Sequence, residues 1–335
     1  MEAHVAIPSG GRRIARRPPL SRLPDQALKY GLTALSLGVL ALLAFFFIRL
    51  YVEANAAFTN VGVINFVFGN NWDVANNVFE ALPLVVGTLI TSGLALLIGV
   101  PVAVATAVFL VELCPRRFKG PLTIMVDLLA AVPSVVYGLW GFYFLIPKLR
   151  PVEQWFTDTF SFIPFFGGAG TIAGPNYFIA GLVLAIMILP IVSAISREVL
   201  TTVPPDHKEA ALALGMTRWE MIKTAMLPYA QRGIVGGAML GLGRAIGETI
   251  AVVIVIGDAP VIGNNIFDQG YTLAAVIANE FGEAASQPLH RAALIGAGLV
   301  LFVLTFVVNA IARLIVARTE REGGAPLTPT ASMGA

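Results

Sequence analysis

Pro204-Pro205-Asp206-His207-Lys208-Glu209-Ala210-Ala211-Leu212-Ala213-Leu214-Gly215 is a short polar stretch made of helix formers between helix breakers. Pro204-Pro205 interrupts whatever precedes it. Asp206 is placed to cap a new helix, with Glu209 three residues on, as in a capping box. Glu209 to Leu214 are residues of high helix propensity, and Gly215 supplies a C-terminal stop. Thr217 and Glu220 have the spacing of a second capping box, opening a second short helix expected to end near Leu227-Pro228. Local chemistry therefore predicts helix, glycine turn, helix over roughly 204–228. A plain surface hairpin joining two larger elements satisfies the same residues.

The flanking elements are apolar. A helix needs about 20 apolar residues to cross the hydrocarbon core. Stretches at roughly 176–196 and 233–257 flank the elbow, and four more qualify at roughly 30–51, 82–111, 121–146 and 291–317. Of 335 residues, 57% are hydrophobic and 13% charged, where soluble domains carry about 25% charged residues. Lipid is the solvent. Backbone groups in lipid are paired within their own segment, so each stretch is expected to be helical. Pro101 is expected to tilt or kink the long second stretch. Pro133 and Pro190 interrupt the third and fourth, as in helices that line polar paths. The fold class is all-α, an integral membrane protein of six transmembrane helices over 30–318, between a disordered tail at 1–29 and a second tail at 319–335.

Lys and Arg set the orientation. Arg12, Arg13, Arg16, Arg17, Arg22 and Lys29 precede the first span, and Arg116, Arg117 and Lys119 separate the second from the third. The elbow loop holds Arg197, Lys208, Arg218, Lys223 and Arg232, and Arg313, Arg318 and Arg321 close the last span. Segments 52–81 and 258–290 contain no Lys or Arg, whereas Lys148 and Arg150 in the outer loop 147–175 run against the pattern. Both termini and the elbow are expected in the cytoplasm. The first span is read as an uncleaved anchor, because its apolar core is too long for a signal peptide.

Several chemistries are excluded. A net charge of +2 offers no basic field for nucleic acid. The single cysteine, Cys114, cannot form an intrachain disulfide. His4, His207 and His290 have no metal-ligand spacing, no catalytic constellation is visible, and no cofactor is expected. The chain contains no G-x-x-x-x-G-K-[ST] phosphate loop.

Only Asp127, Arg244 and Glu248 are ionisable within the interiors of these spans. Each costs at least about 2.5–3.5 kcal/mol at a helix centre. Asp127, near the cytoplasmic face, reads as a packing group. Arg244 lies near the bilayer midplane, and Glu248 four residues on shares its face of a continuous helix. The pair is either a self-neutralising clamp or a substrate site. Guanidinium offers a planar fork of donors matched to the oxygens of a phosphate. Glu248 would then hold Arg244 in the absence of substrate, accept a hydrogen bond from a protonated oxyanion, or repel the anion and prevent trapping.

Glu209-Ala210-Ala211, followed after Leu212-Ala213-Leu214 by Gly215 and later by Leu227-Pro228, resembles the EAA loop of ABC importer permeases. Ala225 stands where that family usually has a large aliphatic residue. The resemblance implies a type I ABC importer permease fold whose coupling helix, through Glu209, Ala210, Ala211 and Gly215, docks on a cytosolic ATPase carried by a separate polypeptide. Gly243-Arg244-Ala245-Ile246-Gly247-Glu248-Thr249 and Ala131-Val132-Pro133-Ser134-Val135-Val136-Tyr137-Gly138 are similar to signatures of phosphate-importer permeases. Phe68-Gly69-Asn70-Asn71-Trp72 and Ala81-Leu82-Pro83 resemble the PstC-type subunit rather than its PstA-type partner. Over about 25–318 the resemblance implies a bacterial inner-membrane PstC–PstA heterodimer on a PstB ATPase dimer, served by a phosphate-binding protein. It places Arg244 and Glu248, with the adjoining Thr249, on the phosphate path. A permease for another oxyanion, such as sulfate or molybdate, shares the elbow. An ion-coupled secondary transporter uses intramembrane acids and bases but needs no elbow. Outer aromatics Phe66, Phe68, Trp72, Phe165 and Phe166 are open to three roles: membrane surface, packing on spans, or docking of the binding protein.

Cysteines introduced as Gly10→Cys and Thr328→Cys should be shielded from impermeant thiol reagents in intact cells; labelling of either from outside reverses the orientation.

Overall fold

The computed structural model describes residues 23–163, 165–167 and 174–322, with side chains from 26 to 314. The expected tails therefore lie outside the described residues except at their helical ends: α1 already starts at Leu23, and the last helix runs to Glu322. The chain order is α1 (Leu23–Val61), α2 (Val63–Phe68), β1 (Trp72–Asp73), β2 (Val78–Phe79) and α3 (Leu82–Val108). It continues with α4 (Arg116–Leu129), α5 (Ser134–Trp140), α6 (Ile146–Thr159), α7 (Tyr177–Thr201), α8 (Pro205–Ala213) and α9 (Arg218–Met221). It ends with α10 (Leu227–Ile246), α11 (Ile250–Ile256), α12 (Leu273–Ala284) and α13 (Pro288–Glu322). Wider π turns at Phe109–Leu113, Gly141–Leu145 and Ile222–Met226 carry α3 onward, join α5 to α6, and join α9 to α10. Contacts divide the chain at Arg49. Over residues 26–49, α1 exposes every side chain, an apolar surface.

Four helical segments are long and apolar enough to cross a membrane on their own, and two bent pairs bring the number to six if each pair crosses once. The third stretch is interrupted at Pro133, as expected, and the fifth is also not a continuous helix, which was not expected. The pair α4 with α5–α6 bends by 90°, and α9–α10 with α11 bends by 67°. The bends fall at Ala130–Pro133 and Gly247–Thr249. Pro101 and Pro190, expected to disturb their helices, lie inside unbroken α3 and α7.

Spans associate without a hydrophobic drive, so close backbone approach decides which faces meet. On α3 the residues Gly87, Thr91, Ala95, Gly99, Ala103 and Ala107 recur every four positions, and all are buried. A methyl group added to Gly99 would meet the Ala185 carbonyl of α7 at 3.0 Å. On α10 the glycines 233, 237 and 241 form a second stripe, meeting Val199, Ile195 and Val192 of α7. Thus α7 is gripped between two small-residue faces. Thr88, Thr91 and Ser92 donate their hydroxyls to carbonyls four residues back, at 2.7, 2.9 and 2.6 Å, so these three buried hydroxyls are paired.

The outer loops form a cap. Trp72 pairs with Phe79 in the β1–β2 hairpin. The Trp72 indole donates to Glu280 Oε2 at 3.1 Å, and His290 Nε2 lies 2.9 Å from the same oxygen. His290 is 1% exposed, and its ring stacks on Phe79. Of the outer aromatics, Phe66 and Trp72 are buried, Phe68 and Phe165 exposed. Just beyond α11, Gly257 and Asp258 both take positive φ, 97° and 53°. Asp258 Oδ1 is buried without a hydrogen-bond partner. Burial, reinforced by the charge of Glu280, pushes the Asp258 carboxyl up to about 6.

A carboxyl whose folded pKa is raised contributes stability fully at low pH and loses it as pH rises through the folded value. Asp258→Asn should therefore raise the melting temperature at pH 8, with the gain closing as pH falls from about 6 towards the ordinary carboxylate pKa near 3.8. Equal melting temperatures at pH 8 would contradict the buried unpaired carboxylate.

Candidate translocation and coupling sites

The fifth span carries the first site. Helix α10 stops at Ile246, Gly247 caps it with φ −90°, and the helix restarts only at Ile250. Arg244 lies in the last turn before the break. Glu248 lies within it, and its Oε1 accepts the Ala251 amide at 3.4 Å. The Thr249 hydroxyl donates to the Gly247 carbonyl at 3.3 Å. Arg244 and Glu248 thus do not share an unbroken helix face as the spacing predicts, because the 67° bend intervenes. Among the described residues they form no ion pair, and Arg244 Nε is buried with no hydrogen-bond partner.

The third span breaks beside the fifth. A methyl group on Gly138 of α5 would come within 3.0 Å of Ala251 Cα, and one on Gly141 within 3.0 Å of Val255. The Tyr137 hydroxyl donates to the Leu129 carbonyl at 2.8 Å, bridging the Ala130–Pro133 break. The signature segment Ala131–Gly138 is therefore brought, through Gly138, against α11, the helix that follows Gly243–Thr249, although more than a hundred residues separate them. Asp127 stands apart, paired with Arg197 at the end of α7.

The second site is the elbow. Pro205 takes the first helical position of α8 and Pro204 the N-cap, so Asp206 falls inside the first turn and is not the cap expected of it. There it faces the positive end of the helix dipole. At the other end Gly215 has φ 81°. Its amide bonds the Leu212 carbonyl at 3.0 Å and the Met216 amide bonds Ala211 at 3.3 Å, the paired pattern of a Schellman stop. Thr217 and Glu220 form the expected reciprocal capping box.

The second helix does not end at Leu227-Pro228. Helical structure continues from Arg218 through the π turn, past Pro228, to Ile246. Glu209 and Ala210 are exposed, as are Leu214 at 78% and Trp219 at 62%. Ala211 instead points inward, into a small core with Val108, Leu200, Val203, Met221, Ile222 and Met226. It seats the elbow on α3 and α7. Lys208 pairs with Glu112 at the end of the second span, a tie the sequence hides because 96 residues separate the partners.

Two broken spans packed on each other, with a helix–glycine–helix elbow seated beneath, define a multi-span permease subunit of the ABC importer type. Residues 99–321 match the family described as "Binding-protein-dependent transport system inner membrane component". The chain is 42% identical over 329 residues to the "Phosphate transport system permease protein PstC" of Mesorhizobium japonicum, covering 97% of this chain and 98% of that one. It is 44% identical to the protein of the same name from Pasteurella multocida, covering 78% and 82%. It is 46% identical to "Phosphate transport system permease protein PstC 2" of Mycobacterium bovis, covering 75% and 79%. Among solved structures, a bacterial ABC transporter importing alginate superposes with TM-score 0.58 at 17% identity, over 88% of this chain and 98% of that one. The same transporter in complex with its alginate-loaded periplasmic protein gives 0.59 at 18%, over 89% and 98%. These two establish the fold alone. The chain belongs to the binding-protein-dependent inner-membrane permeases, and within them to the PstC permeases. It is a multi-pass inner-membrane permease subunit and not an enzyme.

A side chain at φ 81° costs roughly 1–2 kcal/mol. No atom lies within 4 Å of the position a Gly215 Cβ would take, so strain and not crowding decides. Gly215→Val should insert normally yet lose substrate-stimulated ATPase activity and uptake, and Gly215→Asn, which tolerates this conformation, should retain more. Normal coupling by Gly215→Val in an assembled transporter would remove the elbow from the coupling path.

Proposed function

We propose that this chain forms half of the translocation path of an ATP-driven inorganic phosphate importer, paired with a PstA-type permease on a PstB-type ATPase dimer. A phosphate-binding protein delivers substrate on the outer side, and both termini lie in the cytoplasm. The observation that carries the reading is the packing of α5 on α11, just past the two breaks, with Arg244 in the last turn before the fifth-span break, supported by the names of the relatives. A phosphate anion is most costly at the midplane. There Arg244 supplies a cation whose buried Nε–H is unpartnered. Glu248, held by the Ala251 amide, leaves the guanidinium free to receive an anion and adds a repulsion that opposes tight trapping.

Coupling follows from the rod beneath. The helical segment from Arg218 to Ile246 spans about 40 Å at 1.5 Å per residue. A displacement of the elbow, where Glu209, Ala210 and Gly215 face the ATPase, is delivered along this rod to the Gly247–Thr249 break. Lys208–Glu112 carries the same displacement to α3.

A charge-assisted hydrogen bond is worth about 1.5–3 kcal/mol. In vesicles containing all partners, Arg244→Gln should therefore reduce phosphate uptake by about tenfold or more. Arg244→Lys keeps the charge without the fork and should retain part of the transport. Full uptake by Arg244→Gln would leave Arg244 a structural residue, and equal competition by sulfate would make the substrate a broader oxyanion class.

A further inference from the structure

A cavity of about 280 Å³ lies between α3, α6 and α7. Its walls include Leu94, Leu97 and Ile98 of α3, Phe156 of α6, Phe178 of α7 and Phe267 of the segment that follows α11. Leu97 is at the rim, 73% exposed, and lies midway along the apolar segment Leu82–Leu113. The middle of a span sits in a hydrocarbon layer about 30 Å thick. The cavity therefore opens to lipid. Its far end lies away from the elbow, because Phe178 is the second residue of α7 and the elbow follows the last, Thr201. There the wall is strapped: the Phe178 amide donates to the Ile266 carbonyl at 3.0 Å, and the Tyr177 amide to the Asp268 carbonyl at 3.1 Å.

Water does not suit this space. Among the described residues of the wall, Glu153 is the only polar one. It is 1% exposed. Its Oε1 accepts the Asn176 side-chain amide at 3.2 Å, and its buried Oε2 has no partner. An ordered water needs two to four polar partners, and one such oxygen is too few. An apolar void of about 150 Å³ already takes up benzene, and this one is larger. Left empty, its walls would forfeit their dispersion contacts.

We propose that this cavity is a lipid site, which takes one acyl chain of a phospholipid from the leaflet opposite the elbow. The chain enters past Leu97 and ends among Phe156, Phe178 and Phe267. It wedges α3, α6 and α7 apart beneath the strapped segment and keeps water from the Glu153–Asn176 contact. The walls read the chain and leave the headgroup at the membrane surface. The site is independent of which anion is transported.

The test uses the complete transporter in phosphatidylcholine nanodiscs doped with phosphatidylcholine bearing a diazirine in mid-chain. Irradiation expels nitrogen, and the carbene inserts into a neighbouring bond of the protein. The labelled residues are mapped by mass spectrometry. Phe156 and Phe178, both half-buried, should be labelled at least as strongly as the exposed Phe306 of α13. Ile98→Trp, which fills the cavity, should lower their labelling several-fold and leave that of Phe306 unchanged. If Ile98→Trp does not assemble, Leu97→Trp at the rim is read the same way. If neither assembles, the wild-type map decides alone. Absence of label from Phe156 and Phe178 overturns the proposal, as when a helix of a partner subunit covers the cavity, and so does labelling that an assembled tryptophan variant leaves unaltered.

Discussion

In hydrocarbon, an unpaired backbone amide or carbonyl has no water to turn to, and this constraint governs the architecture. Two apolar helix pairs of this permease are nevertheless broken and sharply bent. They are tolerable because each break is packed against protein and its loose groups are taken up by side chains. Tyr137 serves the Leu129 carbonyl, and Glu248 the Ala251 amide. Irregular backbone at membrane depth otherwise occurs where it lines a polar cavity. The break in the fifth span carries Arg244 in the turn before it and Glu248 within it.

Around this centre the packing is carried by small residues. The four-residue stripes of α3 and α10 let both helices approach α7 closely, so α7 sits at the centre of the packing. The elbow has its own apolar cluster and a charged tie to the second span, distinct from the main core around α7 and α11. Two cores joined by one long rod suit a device that receives a push at one end and delivers it at the other. The outer cap is built differently. A single carboxylate oxygen of Glu280 gathers Trp72 and His290, fastening the hairpin, α12 and α13 with polar contacts that lipid-exposed helices do not need.

The sequence by itself determined much of this. Apolar runs long enough for the bilayer marked the candidate crossings, since length and hydropathy depend only on composition along the chain. The Gly215 stop and the Thr217–Glu220 box were legible because both are made by residues within a few positions of each other. Arg244 and Glu248 stood out because ionisable groups in an apolar run are rare. What local patterns could not decide was left to tertiary structure. Proline alone did not say which spans would break: Pro101 and Pro190 sit in continuous helices, and Pro133 does not. The fifth span breaks at Gly247 with no proline at all, just before α11 packs against α5. The continuation past Leu227-Pro228 likewise depends on a π turn that no propensity announces. Lys208 with Glu112 and Arg197 with Asp127 are pairs from distant segments, and only the fold sets their distance. The residues were visible in the chain; which of them face each other was decided by helices that approach closely only where their side chains are small.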